Sequence, residues 1–331
     1  MAETAPVLKV RGLTTTFETA QGRVTAVDNV DLDVFSGEVL GLVGESGSGK
    51  SVTLRSLIRL IHAPGRVTGT VEWEGRNLVD LPDPALRRVR GGEIAMIFQE
   101  PMTALNPILP IRVQIDENLR AHTTMDAAQR RKRMLELMDI VGIPAAARRL
   151  EEYPHQYSGG MRQRAMIAIA LASSPRLLLA DEPTTALDVT IQDQILNLIL
   201  DLREEFSMSV VLVTHDLGVV ASTCDRVAVM YAGRIVETTS VHDIFARPHH
   251  AYTRGLIGSV PRGGSERTML MSIEGTPPSL AHMPRGCSFN PRCTFATDKC
   301  ASSVPHLEHI EPEHTVACFH HEAVARAGVS Q

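Results

Sequence analysis

Eight consecutive residues in the N-terminal part of the chain have the composition of a phosphate-binding loop. Gly44–Ser51 reads GESGSGKS and fits the pattern GxxxxGK[ST]. A polyphosphate requires backbone N–H groups that point inward, and glycines let the chain curl closely around it. Lys50 is expected to contact the outer phosphates and the Ser51 hydroxyl to bind Mg²⁺. The residues predicted to bind phosphate are Gly44, Ser46, Gly47, Ser48, Gly49, Lys50 and Ser51.

A pair of carboxylates forms the second group of residues that could do chemistry. The apolar run Leu177–Ala180 ends directly in Asp181 and Glu182. In a doubly wound sheet, the C-terminal end of a strand is the edge at which ligands bind. Asp181 suits Mg²⁺, directly or through water, and Glu182 suits the general base that deprotonates an attacking water. Together with the phosphate loop, these residues predict hydrolysis of a nucleoside triphosphate.

The elements that must position these residues alternate between strands and helices. Val39–Val43 reads as a buried strand before the loop, and a helix from near Lys50 is predicted to end before Pro64. This alternation predicts a mostly parallel sheet covered on both faces. Further predicted elements are strands at Ile94–Phe98, Leu177–Ala180, Val210–Thr214 and Val227–Tyr231, and helices at Arg131–Val141 and Thr190–Arg203.

Residues Tyr157–Gln163 (YSGGMRQ) resemble the signature of ABC ATPases, usually written LSGGQ. Other motifs of that family match in order and spacing: Gln99 the Q-loop, Ala186–Asp188 the D-loop and His215 the switch histidine. Phe17 matches the aromatic residue that stacks on adenine. The resemblance departs from the commonest signature at Tyr157 and Met161, which do not supply the Ser and Gly backbone contacts.

The resemblance implies the fold class and the domain organisation. The expected fold is α/β: a P-loop (RecA-like) ABC nucleotide-binding domain over residues 7–260, with an antiparallel β subdomain and a helical subdomain at about 100–164. Residues 261–331 are expected to form a Cys-rich, metal-binding C-terminal extension. From Arg262 onward the sequence has no periodicity that predicts regular elements.

The resemblance also implies a shared active site. In this family two such domains meet head to tail around two ATP molecules, and a Ser158 cap would direct the next helix at the γ-phosphate held by the partner's loop. The implied catalytic residues are Glu182, His215 and Gln99. The implied Mg²⁺ ligands are Ser51, Gln99 and Asp181. Besides the phosphate loop, the implied nucleotide contacts are Phe17, Gln99, Ser158, Gly159, Gly160, Asp181 and Asp188.

Four further stretches resemble the ATPases of dipeptide and oligopeptide importers. They are Phe98–Pro107 (FQEPMTALNP), Tyr153–Met161, Pro248–Thr253 and Gly286–Cys293. The expected function is therefore ATP hydrolysis that powers peptide uptake. Nickel or glutathione import, a soluble non-transport ABC ATPase and a metal-sensing regulatory ATPase remain alternatives. The soluble ATPases of translation or DNA repair usually carry two ATPase domains or a long coiled coil, which this chain lacks.

Composition and charge restrict the partners. A formal charge of −5 and a pI near 6.2 argue against a nucleic-acid binder. No run approaches the roughly 18 apolar residues of a spanning helix, and the N-terminus lacks a signal-peptide pattern. A cytosolic chain at the cytoplasmic face of the inner membrane is expected. The implied partners are a second ABC ATPase, homologous but distinct, two transmembrane permeases and an extracytoplasmic substrate-binding protein.

Four of the five cysteines lie in the tail and suggest a metal centre. Cys287, Cys293, Cys300 and Cys318 have the spacing Cx5Cx6Cx17C, which is neither a zinc-ribbon pair nor a ferredoxin run. Four thiolates suit a tetrahedral metal or a [4Fe–4S] cluster, and the resemblance to the importer ATPases implies the cluster. The alternative without metal binding is that the four thiols are unrelated and buried. The fifth cysteine, Cys224, is expected in the core. Zinc is the second candidate, with substitute ligands at His282, His306, His314 or His320.

Overall fold

The computed structural model describes residues 5–20, 22–185, 187–259 and 273–328 of the 331-residue chain. They form two compact units. The first comprises the residues up to Val34, Val39–Val79 and the residues from Thr214 onward, and the second comprises Phe35–Glu38 and Asp80–Val213. Over these described ranges, no helix is both long enough and apolar enough to cross a membrane. The predicted domain boundary at residue 260 lies outside the described residues.

The described residues contain strands and helices in alternation, as the sequence predicts. The strands are β1 (Leu8–Thr19), β2 (Gly22–Val34), β3 (Val39–Val43), β4 (Gly65–Trp73), β5 (Arg76–Asn77), β6 (Ile94–Ile97), β7 (Leu177–Asp181), β8 (Ser209–Thr214), β9 (Arg226–Tyr231), β10 (Arg234–Ser240), β11 (Glu308–Glu311) and β12 (His314–Val316). The helices are α1 (Lys50–Leu57), α2 (Asp83–Val89), α3 (Pro101–Ala104), α4 (Ile111–His122), α5 (Ala127–Ile140), α6 (Ala146–Arg149), α7 (Gly159–Ala170), α8 (Val189–Glu205), α9 (Leu217–Thr223), α10 (Val241–Ala246), α11 (Ala251–Gly258), α12 (Asp298–Ser302) and α13 (His321–Ala327).

The first unit contains an antiparallel sheet with the strand order β2-β1-β4-β5. Leu8 of β1 lies opposite Val34 on one side and Trp73 on the other. The side chains of Leu8, Val10 and Leu13 are fully buried, so β1 supplies one face of a hydrophobic core. This sheet matches the antiparallel β region that the family resemblance implies.

A second sheet of the same unit has the order β11-β12-β10-β9-β3. β3 runs parallel to β9, with Leu40 opposite Arg226, and all five residues of β3 are buried. β10 is antiparallel to both neighbours, so Thr238 lies opposite Ala228 and Thr315. The tail thus adds two strands, β12 and β11, to this sheet, although its sequence predicts no regular element. Strands of three and four residues are too short to carry a measurable periodicity.

The second unit contains the parallel strands β8-β7-β6. Leu177 of β7 lies opposite Ile94 of β6 and Ser209 of β8. β7 is buried along its whole length, which is typical of a parallel strand covered on both faces. Helices α3 to α7 cover the predicted helical subdomain at about 100–164 and extend it to Ala170.

Two helix boundaries differ from the sequence prediction. α1 ends at Leu57 rather than near Pro64, because Arg59 has a positive φ of 51° and the Leu60 N–H donates to the Arg55 carbonyl oxygen at 2.7 Å. This hydrogen bond closes the helix end in the manner of a Schellman motif without glycine. Leu60 and Ile61 therefore lie beyond the helix, although the apolar pattern includes them.

The other difference is the start of α5. It begins four residues before the predicted Arg131, after a reciprocal capping box between Asp126 and Gln129. The hydrophobic pattern alone misses this start, because the first turn of the helix has no large apolar side chain. Gly142 follows the helix with a φ of 70°, the left-handed conformation in which glycine commonly ends helices.

Candidate functional site

The phosphate-binding loop predicted from the sequence connects β3 to α1. Gly44 and Gly49 both have positive φ angles, of 155° and 105°. A Cβ atom on Gly44 would lie 2.1 Å from the Met230 carbonyl oxygen, and one on Gly49 would lie 2.5 Å from the Ala26 carbonyl oxygen. Both positions therefore require glycine for close approach as well as for backbone conformation.

Polar side chains turn inward along this loop. The buried Lys50 donates from Nζ to the carbonyl oxygens of Gly44 at 2.7 Å and Glu45 at 3.0 Å. The Ser48 Oγ is buried without a hydrogen-bond partner among the described residues. A buried orphan hydroxyl, a lysine and a helix N-terminus suit an anion such as a phosphate. The remaining predicted loop residues are exposed or half-buried: Ser46, Gly47 and Ser51.

Two of the predicted catalytic residues contact each other in the second unit. The Glu182 Oε2 accepts hydrogen bonds from Gln99 Nε2 at 3.1 Å and from Thr185 Oγ1 at 2.8 Å. Glu182 has a φ of 45°, a sparsely populated conformation that is often found at functional sites. Asp181, just before it, is fully buried at the end of β7. Thr185 was not predicted, although a hydroxyl three residues after a carboxylate is a recognisable turn partner.

The predicted signature segment forms the start of α7. The Ser158 Oγ accepts a hydrogen bond from the Met161 N–H at 3.3 Å, so Ser158 caps the helix as predicted. Ser158 and Gly159 are exposed to solvent. The first turn of α7 thus presents its N–H groups and the positive end of its dipole at the surface.

Gly160 and Asp188 each lie close to Ile191 in the first turn of α8. A Cβ atom on Gly160 would lie 3.1 Å from Ile191 Cγ2, so glycine lets the two helices approach each other here. The Asp188 Oδ1 accepts from the Ile191 N–H at 3.0 Å and caps α8. Asp188 was predicted as a nucleotide contact, and its observed role is that of a cap. Ala186 of the same predicted motif lies outside the described residues.

Phe17 and His215 belong to the first unit. Phe17 is half-buried near the end of β1, and a Cβ atom on Gly65 would lie 2.8 Å from its Cε1. His215 is exposed directly after β8. The next residue, Asp216, caps α9 by accepting from the Gly218 N–H at 2.7 Å. The nucleotide contacts of Phe17 and His215 stay predictions.

One contact of the phosphate loop has no signal in the sequence. The carboxylate of Glu45 forms two hydrogen bonds with the guanidinium of Arg292, which lies 247 residues later in the chain. The backbone N–H of Glu45 donates to the hydroxyl of Tyr252 at 2.8 Å. Only the fold reveals that these residues meet.

The four tail cysteines line one small pocket. Burial raises the pKa of the Cys287 and Cys293 thiols and raises that of Cys318 to about 12, and neighbouring thiols raise all three further. Within the ranges that the structure covers, however, no three His, Cys, Asp or Glu side chains are arranged to hold a metal ion. The structure thus gathers the predicted ligands, Cys300 included, without forming a metal site.

Of the remaining candidate ligands and cysteines, His320 lies at the cysteine pocket and Cys224 lies at the hydrophobic core. Among the histidines considered for zinc, His320 lines the cysteine pocket, whereas the lining does not include the other three, His282, His306 and His314. Cys224 packs against the hydrophobic core of the first unit, as predicted, and burial raises its pKa to about 12.

Two family models match the chain. Residues 27–185 match the model described as ABC transporter, and residues 236–300 match the C-terminal region of oligopeptide/dipeptide transporters. The first match contains the phosphate loop and the Glu182 cluster. The second contains Arg292 itself and three of the four tail cysteines.

Curated relatives match over nearly the whole chain. The oligopeptide transport ATP-binding protein OppD of Escherichia coli strain K12 is 47% identical, with 95% of this chain and 93% of the relative covered. A probable peptide ABC transporter ATP-binding protein of Sinorhizobium fredii is 52% identical, with 95% and 94% covered. A putative peptide import ATP-binding protein of Brucella abortus is 51% identical, with 92% of each chain covered.

A solved structure supports the fold. The dimeric ATP-binding cassette MJ0796, in a post-hydrolysis state bound to ADP and Pi, matches with a TM-score of 0.64 and 32% identity. The match covers 71% of this chain and 98% of that one. Since the relatives exceed 45% identity over more than nine-tenths of this chain, the chain belongs to the ABC transporter family of ATP-binding proteins.

Proposed function

We propose that this chain is the ATP-hydrolysing subunit of an importer that takes up dipeptides or oligopeptides through partner permeases. The observation that carries the proposal is the full-length likeness to peptide-transport ATP-binding proteins, including the C-terminal region at 236–300. The relatives reported above are all named for peptide transport, which favours peptides over nickel or glutathione as the cargo. The intact Glu182 and His215 argue that the chain hydrolyses ATP and is not a degenerate half.

The phosphate loop is the proposed binding site of Mg²⁺ and ATP. Its backbone N–H groups and the N-terminus of α1 bind the phosphates, and the buried Ser48 hydroxyl gains a partner there. Lys50 exchanges its contacts with loop carbonyl oxygens for contacts with the outer phosphates. As the family resemblance implies, the Ser51 hydroxyl, Asp181 and Gln99 would hold Mg²⁺, and Phe17 would stack on the adenine.

Glu182 is the proposed general base. Its hydrogen bonds from Gln99 and Thr185 fix the carboxylate after β7 and leave it acceptor capacity for a water O–H. Gln99 therefore orients the base as well as contacting the metal. His215 holds the γ-phosphate and the attacking water, since an exposed imidazole can donate to a phosphate oxygen.

In this proposal, partner chains complete the active site and the transporter. The exposed first turn of α7, with Ser158, Gly159 and Gly160, suits a γ-phosphate held by a second ABC ATPase. Two permeases and an extracytoplasmic substrate-binding protein supply the path and the cargo, and the chain works at the cytoplasmic face of the membrane. The likeness to a dimeric cassette supports this pairing.

A base variant tests the chemistry. Glu182→Gln is expected to lower kcat by about 10²–10⁴-fold, because the amide cannot take a proton. It should leave ATP affinity within about twofold, since the phosphate loop is untouched. Steady-state hydrolysis and nucleotide binding are measured beside Glu205→Gln, an exposed control in the same unit. Wild-type turnover in Glu182→Gln refutes the assignment.

A pull-down tests the transport role. The tagged chain is captured from gently solubilised native membranes, and its companions are identified by mass spectrometry. Two multispanning chains and a second ATPase are expected. Ribosomal or DNA-repair proteins without membrane chains would leave the ATPase role intact and overturn the importer.

We further propose that Cys287, Cys293, Cys300 and Cys318 bind a [4Fe–4S] cluster. Their convergence on one pocket supports the donor set, and their side chains must close inward, because as they stand they do not form a ligand group. A bound cluster would act as a structural clip for this irregular segment. The cysteines bind iron as thiolates. The positive charge of the iron would lower the thiol pKa values that burial raises in Cys287, Cys293 and Cys318.

Metal analysis tests this assignment. Iron and acid-labile sulfide in anaerobically purified protein are expected at about four each per chain for a [4Fe–4S] cluster, and Cys318→Ser should lower both. Cys224→Ser, outside the pocket, is the matched control. Stoichiometric zinc without sulfide would favour a zinc site instead, and protein free of both metals would overturn metal binding.

A further inference from the structure

The structure assigns Arg292 a role in nucleotide binding: we propose that it is a positioning residue that holds the phosphate loop through Glu45. It lies in the 3₁₀ turn Asn290–Arg292, next to Cys293 of the cysteine pocket. The inference rests on the proposed binding of ATP at the phosphate loop. It adds a residue of the C-terminal region to the machinery of that loop.

The contact has the geometry of a strong, specific ion pair. Arg292 Nη1 donates to Glu45 Oε2 at 2.8 Å, and Nη2 donates to Oε1 at 3.0 Å, which makes a bidentate fork. The side chain of Arg292 is 5% exposed and that of Glu45 is 26% exposed, so water screens the pair only in part. Lysine could not reproduce the two parallel hydrogen bonds.

Further contacts fix the guanidinium itself. Arg292 Nε donates to the Glu274 carbonyl oxygen at 3.0 Å, and its Cζ lies 5.8 Å from the centre of the Phe289 ring. Phe289 packs edge-on against Tyr231 at 5.2 Å between ring centres. Arg292 therefore reaches Glu45 from a rigid aromatic support rather than from a free surface.

The same support holds the loop backbone. Tyr252, which is fully buried, accepts the Glu45 N–H at 2.8 Å and packs 5.5 Å from Phe289. Glu45 is thus tied by its backbone and by its side chain to one aromatic cluster. Since Glu45 directly follows Gly44, these ties set the direction in which the loop N–H groups point. Loss of the Arg292 fork leaves the side-chain tie unmade and lets the loop sample orientations that bind phosphate poorly.

Nucleotide titrations of the full chain test the role. The fluorescent analogue 2′/3′-O-(N-methylanthraniloyl)-ATP is titrated with Mg²⁺ into wild type, Arg292→Met, Arg292→Lys, Glu45→Gln and the Arg292→Met/Glu45→Gln double variant. Each removal is expected to raise Kd about threefold to tenfold, with Arg292→Lys in between. The double variant should be no weaker than the worse single variant, since both remove one interaction.

A second readout separates positioning from general damage. In the assembled ATPase, Arg292→Met should raise KM for ATP while kcat at saturating ATP stays within about twofold of wild type. Arg247→Met, which removes another Arg–Glu pair of the same unit with Glu311, is the matched control and should leave Kd unchanged. A thermal melt of each variant verifies folding.

The Kd and KM values of these variants decide whether Arg292 positions the phosphate loop. An unchanged Kd in folded Arg292→Met, or additive losses in the double variant, overturns the positioning role and leaves the proposed function standing. A wild-type chain that does not bind the analogue overturns both. A KM effect with coupled, non-additive Kd changes supports the inference.

Discussion

His250 should make the stability of the first unit depend on pH. Its imidazole Nδ1 accepts the Tyr252 backbone N–H at 3.1 Å and caps α11, so this nitrogen must be unprotonated in the folded state. Burial lowers the pKa of His250 from 6.5 to about 4, against an opposing effect of the neighbouring Glu237. The perturbation is a fall in pH from 7.5 to 5.0.

The sign and magnitude follow from the two pKa values. The unfolded chain takes up the proton near pH 6.5 and the folded chain only near pH 4, so the stabilisation is complete above 6.5 and is lost between 6.5 and 4. The full loss is about 3 kcal/mol, and about 2 kcal/mol of it falls between pH 6.5 and 5.0. His250→Asn keeps a capping acceptor but does not titrate, so it should lack this loss.

Urea unfolding followed by tryptophan fluorescence measures the effect. Trp73 is the only tryptophan of the chain, and it is buried in β4 of the same unit as His250. Midpoints are compared at pH 7.5, 6.5, 5.5 and 5.0 for wild type, His250→Asn and the exposed control His242→Asn. The pKa of His249 is also lowered by burial, and the comparison removes its contribution. A difference between wild type and His250→Asn that stays constant with pH refutes the reasoning.

Three other substitutions probe the two units. Ser158→Ala removes the N-terminal cap of α7 and should lower the free energy of unfolding by about 1 kcal/mol. It should also slow ATP hydrolysis at the partner's phosphate loop. In mixed dimers, a loss of hydrolysis confined to the variant's own loop would contradict this. Gly49→Ala drives a Cβ to 2.5 Å from the Ala26 carbonyl oxygen and should weaken ATP analogue binding more than about tenfold in a titration. Tyr157→Phe deletes the 2.8 Å hydrogen bond to the Arg149 carbonyl oxygen. Urea unfolding followed by circular dichroism should show that the free energy of unfolding falls by about 1 kcal/mol, while the rate of ATP hydrolysis stays at the wild-type value. A slower rate would show that the Tyr157 hydroxyl contributes to the function of the signature.

Local chemistry explains which features the sequence could predict. The order of β3, the glycine-rich loop and α1 is encoded in adjacent residues, since an apolar run, glycines and Lys50 each act on their neighbours. The Ser158 cap is likewise a contact across three residues. Such features need no knowledge of the rest of the fold.

Long-range contacts explain what the sequence could not predict. Nothing near Glu45 indicates Arg292, because the pairing depends on how the tail folds back within the first unit. The pairing of β12 with β10 rests on three residues, too few for a pattern. The end of α1 at Leu57 depends on a left-handed Arg59, which apolar neighbours conceal. Each of these features required the fold.

Two carboxylates tie the C-terminal region to the ATP-binding unit: Glu237, which is fully buried, and Glu45, whose side chain is 26% exposed. Glu237 of β10 is fully buried and accepts the His249 N–H at 2.7 Å and the His250 N–H at 2.9 Å, and it lies 2.8 Å from His314 Nε2 of β12. Its removal would leave several buried donors without a partner, at about 1–3 kcal/mol each. Arg292 makes the second such tie, at Glu45.

These two ties act on different parts of the same unit. His314 fixes the end of the tail to the sheet, and Arg292 fixes its cysteine segment to the phosphate loop. Removal of the tail would therefore strip Glu237 of a buried partner and release Glu45 at the same time. Because uncompensated buried charges are costly, the tail cannot be an independent appendage to the ATPase. Changes in the cysteine pocket then have a short path to nucleotide affinity, through the single residue step from Cys293 to Arg292.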